Sequence, residues 1–136
     1  MKDHTKIKSI LNYKSIAVVG FSPKRERPSN YVSMYMQENG YSITPVNPGH
    51  QYIGNLKCYP NLESIDQTID IVNIFRRPEY VYDIVESSIL IKAKAIWMQD
   101  FVYDEKAEEL AMNKGLIVVM NDCILRQHKI HSQPRT

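Results

Sequence analysis

Short runs of almost uninterrupted apolar character recur through this chain at residues 16–20, 42–46, 71–75, 95–98 and 116–120. A run that is only four or five residues long, with no clean apolar and polar alternation, is what a strand looks like when both of its faces are covered. The intervals between the runs read as helices. Ser29 is placed to cap one that turns Val32, Tyr35 and Met36 inward and stops at Asn39-Gly40. Pro78, at a first helical position, opens another with Val81, Ile84, Val85 and Ile89 on one face. Asp104 caps a third, with Ala107, Leu110 and Ala111 inward and Gly115 as its stop. Shorter helices are expected at 6–11 and 62–65, and another starts near Asp122.

Strands and helices in strict alternation predict an α/β fold, a single doubly wound and mostly parallel five-stranded sheet with helices on both faces. The expected strand order is 3-2-1-4-5, numbering the apolar runs along the chain. The whole of 1–136 is expected to form one domain, with its core at about 13–130. A net charge of +2 is too mild for a nucleic-acid or membrane surface. Cys58 and Cys123 are the only cysteines and stand in no metal-binding or disulfide spacing. The first dozen residues lack the apolar core of a signal peptide, and no run approaches the ~18 residues of a membrane span. A cytoplasmic protein without membrane or nucleic-acid partners is the expectation.

Ligands of such sheets bind outside the carboxyl ends of the strands, so the loop after each strand is where chemistry is expected. The first loop runs Gly20-Phe21-Ser22-Pro23-Lys24-Arg25, then Arg27 and Ser29. A strand ending in Gly and leading into a helix aims backbone N–H groups at an anion, and Lys and Arg suit phosphate oxygens. Three cations in a polar loop are also what a solvated surface looks like. The three-glycine dinucleotide fingerprint is absent, since only Gly20 is present.

The second loop, Asn47-Pro48-Gly49-His50, carries no Asp or Glu for the ribose of NAD. Asn47, Pro48 and His50 could serve a ribose or its phosphate, or the Pro-Gly pair could only reverse the chain. Phe75-Arg76-Arg77 places two cations just before a helix N-terminus, which calls for an anion or for an acidic partner such as Glu79 or Asp70. Trp97, Met98 and Gln99 offer a ring, a thioether and an amide, with core packing as the alternative for the first two. Cys123 opens a helix but has no His at motif spacing to activate it, so any redox role stays open.

The ordered set 17–22, 24–29, 45–48, 58–60, 75–77, 95–99 and 118–123 resembles the small stand-alone CoA-binding proteins. These in turn are similar to the N-terminal nucleotide-binding domain of the succinyl-CoA synthetase alpha subunit, a Rossmann-like fold. The resemblance covers about 13–129. It implies CoA phosphate contacts at Ser22, Pro23, Lys24 and Arg25, and pantetheine contacts at Trp97, Met98 and Gln99. The family's Pro-Gly-Lys turn falls on Pro48, Gly49 and His50, where His replaces the phosphate-binding Lys and weakens that contact unless Arg76 or Arg77 substitutes. The synthetase's phosphorylated His has no counterpart, so ligase chemistry is not implied.

Non-catalytic binding of coenzyme A or an acyl-CoA is therefore the leading expectation. An NAD(P)-linked oxidoreductase or redox sensor, and an interaction scaffold without a nucleotide ligand, are the alternatives.

Overall fold

The computed structural model describes residues 3–132, so residues 1–2 and 133–136 of the expected domain lie outside it. In chain order the elements are α1 His4–Leu11, β1 Ser15–Val19, α2 Pro28–Glu38, β2 Ser42–Val46, β3 Tyr52–Ile53, β4 Leu56–Lys57, β5 Ile71–Ile74, α3 Val81–Leu90, β6 Ala95–Met98, α4 Glu105–Asn113, β7 Ile117–Val119 and α5 Ile124–Ser132. Single 3-10 turns occupy Leu62–Ser64 and Pro78–Tyr80. No helix among the described residues is long and apolar enough to cross a membrane.

The doubly wound α/β class is as expected. Five parallel strands form one sheet in the order β2-β1-β5-β6-β7. Numbered by apolar run this is 2-1-3-4-5, not 3-2-1-4-5, and Pro45 supplies a physical reason. Proline has no N–H for a ladder and is confined to sheet edges or strand starts. In the observed order β2 is the edge, and the Pro45 carbonyl points outward to accept the Tyr59 N–H at 3.0 Å. The Gly54-Asn55 pair between short apolar flanks makes a β3–β4 hairpin that was not expected, a two-residue turn with Gly54 at φ 59°.

Successive side chains of each strand point to opposite faces, and the core divides accordingly. Ile16, Val18, Ile71, Ala95 and Trp97 face the layer made by α1, α2 and α5, where Ile10, Met36 and Ile124 are fully buried. Ala17, Val72, Ile74, Ile96 and Met98 face α3 and α4, whose Val81, Val85, Ala107 and Ala111 are equally buried. The continuous apolar runs thus mark strands between two helix layers. Asp104 caps α4 as expected, its carboxylate accepting the Ala107 N–H at 3.0 Å. Ser29 does not cap α2: Arg27 is the N-cap and Pro28 the first helical residue, leaving the Ser29 hydroxyl inside the first turn.

The helix layer of α1, α2 and α5 carries a titrating contact. The Tyr35 hydroxyl lies 2.8 Å from His128 Nδ1, and the ring of Tyr41 meets the same imidazole edge-on. Burial, and then the charge of Lys14, hold His128 below the ordinary histidine range. Burial, with His4 and Lys8, does the same to His131. A depressed histidine favours the neutral form in the folded state, so its contribution is complete above the unfolded value near 6.5 and is lost as pH falls through the folded one. We expect the melting temperature to fall as pH drops below about 6.5, and to fall less in His128→Asn, as read by circular dichroism. An identical slope in both proteins would remove His128 from this account.

Candidate functional site

The chain parts company at the Val19–Gly20 peptide. The Val19 carbonyl accepts the Phe75 N–H on the β5 side at 2.9 Å, while the Gly20 N–H donates to the Val46 carbonyl on the β2 side at 3.0 Å. This is the point where strand order reverses, and the crevice above it is where such sheets bind ligands. Gly20 has φ 90°, and a Cβ built there would stand 2.5 Å from the Phe75 carbonyl oxygen and 3.1 Å from Arg76 Cδ. Only glycine lets the first loop cross so close to the end of β5.

The loop after β1 is braced from within. The Ser29 hydroxyl, buried in the first turn of α2, accepts the Ser22 N–H at 2.9 Å, and the Asn30 amide donates to the Ser22 carbonyl at 2.8 Å. Ser22 Oγ accepts the Lys24 N–H at 3.2 Å. Asn47 ties the second loop to the first: its Nδ2 donates to the Phe21 carbonyl at 2.9 Å and its Oδ1 accepts the Gly49 N–H at 2.9 Å. The Asn47 amide is thus engaged in holding loops together. A parallel bridge between Val46 and Tyr59 carries Pro60 and the 3-10 turn up to the same rim. Cys58 beneath it is buried, which pushes its thiol up, and its Sγ lies 3.4 Å from the Asn47 carbonyl.

Three adjoining clefts open from this frame. One of about 500 Å³ lies between Gly20, Ser22, Pro48, Phe75 and Arg76 on one side and the 3-10 turn and α3 on the other. Its far wall bears Asn61, Glu63, Asp83 and Ser87, with the Ser87 hydroxyl donating to Glu63 at 3.2 Å. A smaller one of about 340 Å³ is formed by Gly20, Ser22, Lys24, Arg27, Ser29 and Phe75 at the start of α2. A third, of about 620 Å³, lies across Phe75 and Arg76 toward the loops after β6 and β7. The half-buried Arg76 forms part of the wall between the first and the third, its guanidinium 4.4 Å above the Tyr80 ring.

The residues singled out in the sequence separate into groups. Gly20, Ser22, Pro23, Asn47, Pro48, Phe75 and Arg76 meet at the first cleft, and Lys24, Arg27 and Ser29 at the small one. Arg25 points elsewhere, into a groove between α2 and the β3–β4 hairpin. His50 is exposed at the turn, and Arg77 is exposed and 3.6 Å from Glu79, the acidic partner considered for it. Phe21, Trp97 and Met98 are fully buried, so their side chains belong to the core and not to the rim. Trp97 fills the α1/α2/α5 layer and donates its indole N–H to the Asp122 carbonyl at 3.0 Å. Gln99 is buried but lines the third cleft, its Nε2 donating to Asn73 Oδ1 at 2.7 Å.

Sequence reasoning missed the far wall at Asn61, Glu63, Tyr80, Asp83 and Ser87, and Phe101 in the third cleft. The Cys58-Tyr59-Pro60 stretch was a usable signal, because its pairing with β2 lifts residues 60–63 to the rim. The α3 residues gave none, since polar positions on a helix read as solvent face.

A family model described as a CoA binding domain matches residues 14–129. A Bacillus subtilis (strain 168) protein named Uncharacterized protein YneT is 40% identical over 125 residues, spanning 91% of this chain and 93% of that protein. Among solved structures, a hypothetical protein from Pyrococcus horikoshii OT3 superposes with a TM-score of 0.91 at 39% identity, covering 95% of this chain and 92% of that one. A further similarity, 36% over 63 residues, is to the ADP-forming acetate–CoA ligase II of Archaeoglobus fulgidus, and takes in 45% of this chain and 9% of that protein.

The close approach at Gly20 sets a test of the frame itself. Gly20→Ala combines a left-handed backbone with a contact that must open, together about 2–4 kcal/mol, so the melting temperature is expected to drop on the order of 10 °C. A variant that melts within about 2 °C of the parent would show that the β1 loop does not depend on this contact.

Proposed function

This chain belongs to the CoA binding domain family, and we propose that it binds coenzyme A, free or acylated, as a binding module at the carboxyl rim of its sheet. The observation that carries this reading is the convergence of Gly20, Ser22 and Phe75 on two adjoining clefts, one of which is closed by the start of α2 with Lys24 and Arg27. Coenzyme A carries a pyrophosphate and a 3′-phosphate, so it needs cations in two places. Lys24 and Arg27 supply one place and Arg76 the other. Among the described residues the ion pairs engage Arg77 and Arg126, not these three.

Charge also orients the ligand. Glu63 and Asp83 on the far wall of the 500 Å³ cleft repel phosphate, which directs the anionic end toward Gly20 and Arg76. Arg25 faces its own groove and is a lesser anchor in this reading, and His50 contributes least. The NAD(P) alternative is less well supported: no carboxylate follows β2, and the amide of Asn47 is occupied by Phe21 and Gly49.

Calorimetric titration tests the proposal. Coenzyme A should bind, dephospho-CoA should bind several-fold more weakly, and NAD should give no saturable heat. Arg76→Ala should weaken CoA by about tenfold, the worth of a charge-assisted hydrogen bond, with its melting temperature unchanged. Tighter binding of NAD than of CoA, or no heat with CoA, would overturn the reading.

A further inference from the structure

The third cleft differs in character from the other two. Its sides are made by Val32, Phe75, Val102, Cys123 and Leu125, with Phe101 at its mouth. Of the charged groups that reach it, Arg77, Asp100 and Arg126 are engaged in ion pairs. Arg126 makes a two-pronged contact with Asp100 at 2.8 and 3.2 Å and a third with Asp122 at 2.8 Å. That network raises the guanidinium further above its usual range, chiefly through the hydrogen bond to Asp100. Apart from the guanidinium of Arg76 on the side shared with the first cleft and the amide of Gln99, what remains facing the cavity is mainly apolar, with the Cys123 side chain acting as a small hydrophobe.

Phe101 is held in place against two unfavourable tendencies at once. It is 83% exposed, and its φ of 69° lies in the left-handed region that bulky residues avoid. Asn121 holds the backbone on both sides of it. Its Oδ1 accepts the Phe101 N–H at 2.7 Å, and its own N–H donates to the Val102 carbonyl at 3.0 Å, with Asn121 itself at φ 53°. Backbone strain of this kind persists only where neighbouring contacts over-determine it, and it gathers at ligand clamps.

The cleft adjoins the site described above across the wall that Phe75 and Arg76 make, since both residues line the two. A ligand whose phosphates meet Arg76 has its arm directed over that wall. Gln99, pinned through Nε2 to Asn73, keeps its carbonyl oxygen for an amide N–H of such an arm. Resting on the CoA reading, we infer that this cleft receives an apolar acyl group carried on the CoA thiol and closed over by Phe101, so that the protein prefers acyl-CoA to free CoA.

The experiment compares CoA with butyryl-CoA by calorimetry on the full chain, then repeats both titrations on Phe101→Gly. Each methylene buried is worth about fourfold in affinity, so butyryl-CoA should bind at least about tenfold more tightly. Phe101→Gly should abolish that advantage while leaving CoA affinity within about twofold, and should melt no lower, because glycine accepts the left-handed backbone. Equal affinity for CoA and butyryl-CoA overturns the acyl inference and leaves the CoA reading standing. An advantage that survives in Phe101→Gly removes Phe101 as the closing group. Failure of both ligands to bind the parent removes the CoA reading and this inference together.

Discussion

The structure turns on one peptide. Where β1 ends, the carbonyl of Val19 is drawn to β5 and the N–H of Gly20 to β2, so the backbone is shared between two strands that lead in opposite directions across the sheet. The chain lays its second strand on one side of β1 and its later strands on the other. The loop that leaves this point passes so near the end of β5 that a Cβ at residue 20 would stand 2.5 Å from the Phe75 carbonyl oxygen, which is why the position calls for glycine. Everything at the rim is referenced to that crossing: the bracing of Ser22 by Ser29, the tie from Asn47 to Phe21, and the dividing wall made by Phe75 and Arg76.

Much of this was legible in the sequence, because double burial of a strand leaves a signature in composition. Five apolar runs gave the strands to within a residue or two, and the caps at Asp104 and Gly115 gave the limits of α4. The strand order was harder, since apolar character says that a strand is covered and not which neighbour covers it. Pro45 carried the missing information, as a residue that cannot complete a ladder on both sides belongs at an edge. The hairpin at Gly54-Asn55 was passed over because each of its strands is only two residues long.

At the rim, residue type was a good guide to which loops line clefts and a poor one to where each side chain points. Lys24 and Arg25 are consecutive and chemically alike, yet they face different clefts, since adjacent residues in a turn diverge. Trp97 and Met98 looked available because they end a strand beside a ligand crevice. Strand geometry sends one into each core layer instead, and the first buried polar group reached along β6 is Gln99. Asn47 had the chemistry to touch a ligand and is spent on the scaffold. Such a distinction rests on distances between loops far apart in sequence, which no local pattern encodes.

The outward-facing Pro45 carbonyl and its bridge to Tyr59 also bear on how the molecule behaves among its own copies. An open strand edge is a template for another chain, and β2 is the longer of the two edges of this sheet. One ladder position there lacks a donor and the neighbouring carbonyl is already taken by residue 59, so an incoming strand finds no continuous row of partners. The opposite edge, β7, is three residues long. The irregular crossing between β2 and β5 therefore serves colloidal stability as well as site geometry, protecting a small parallel sheet from edge-to-edge growth.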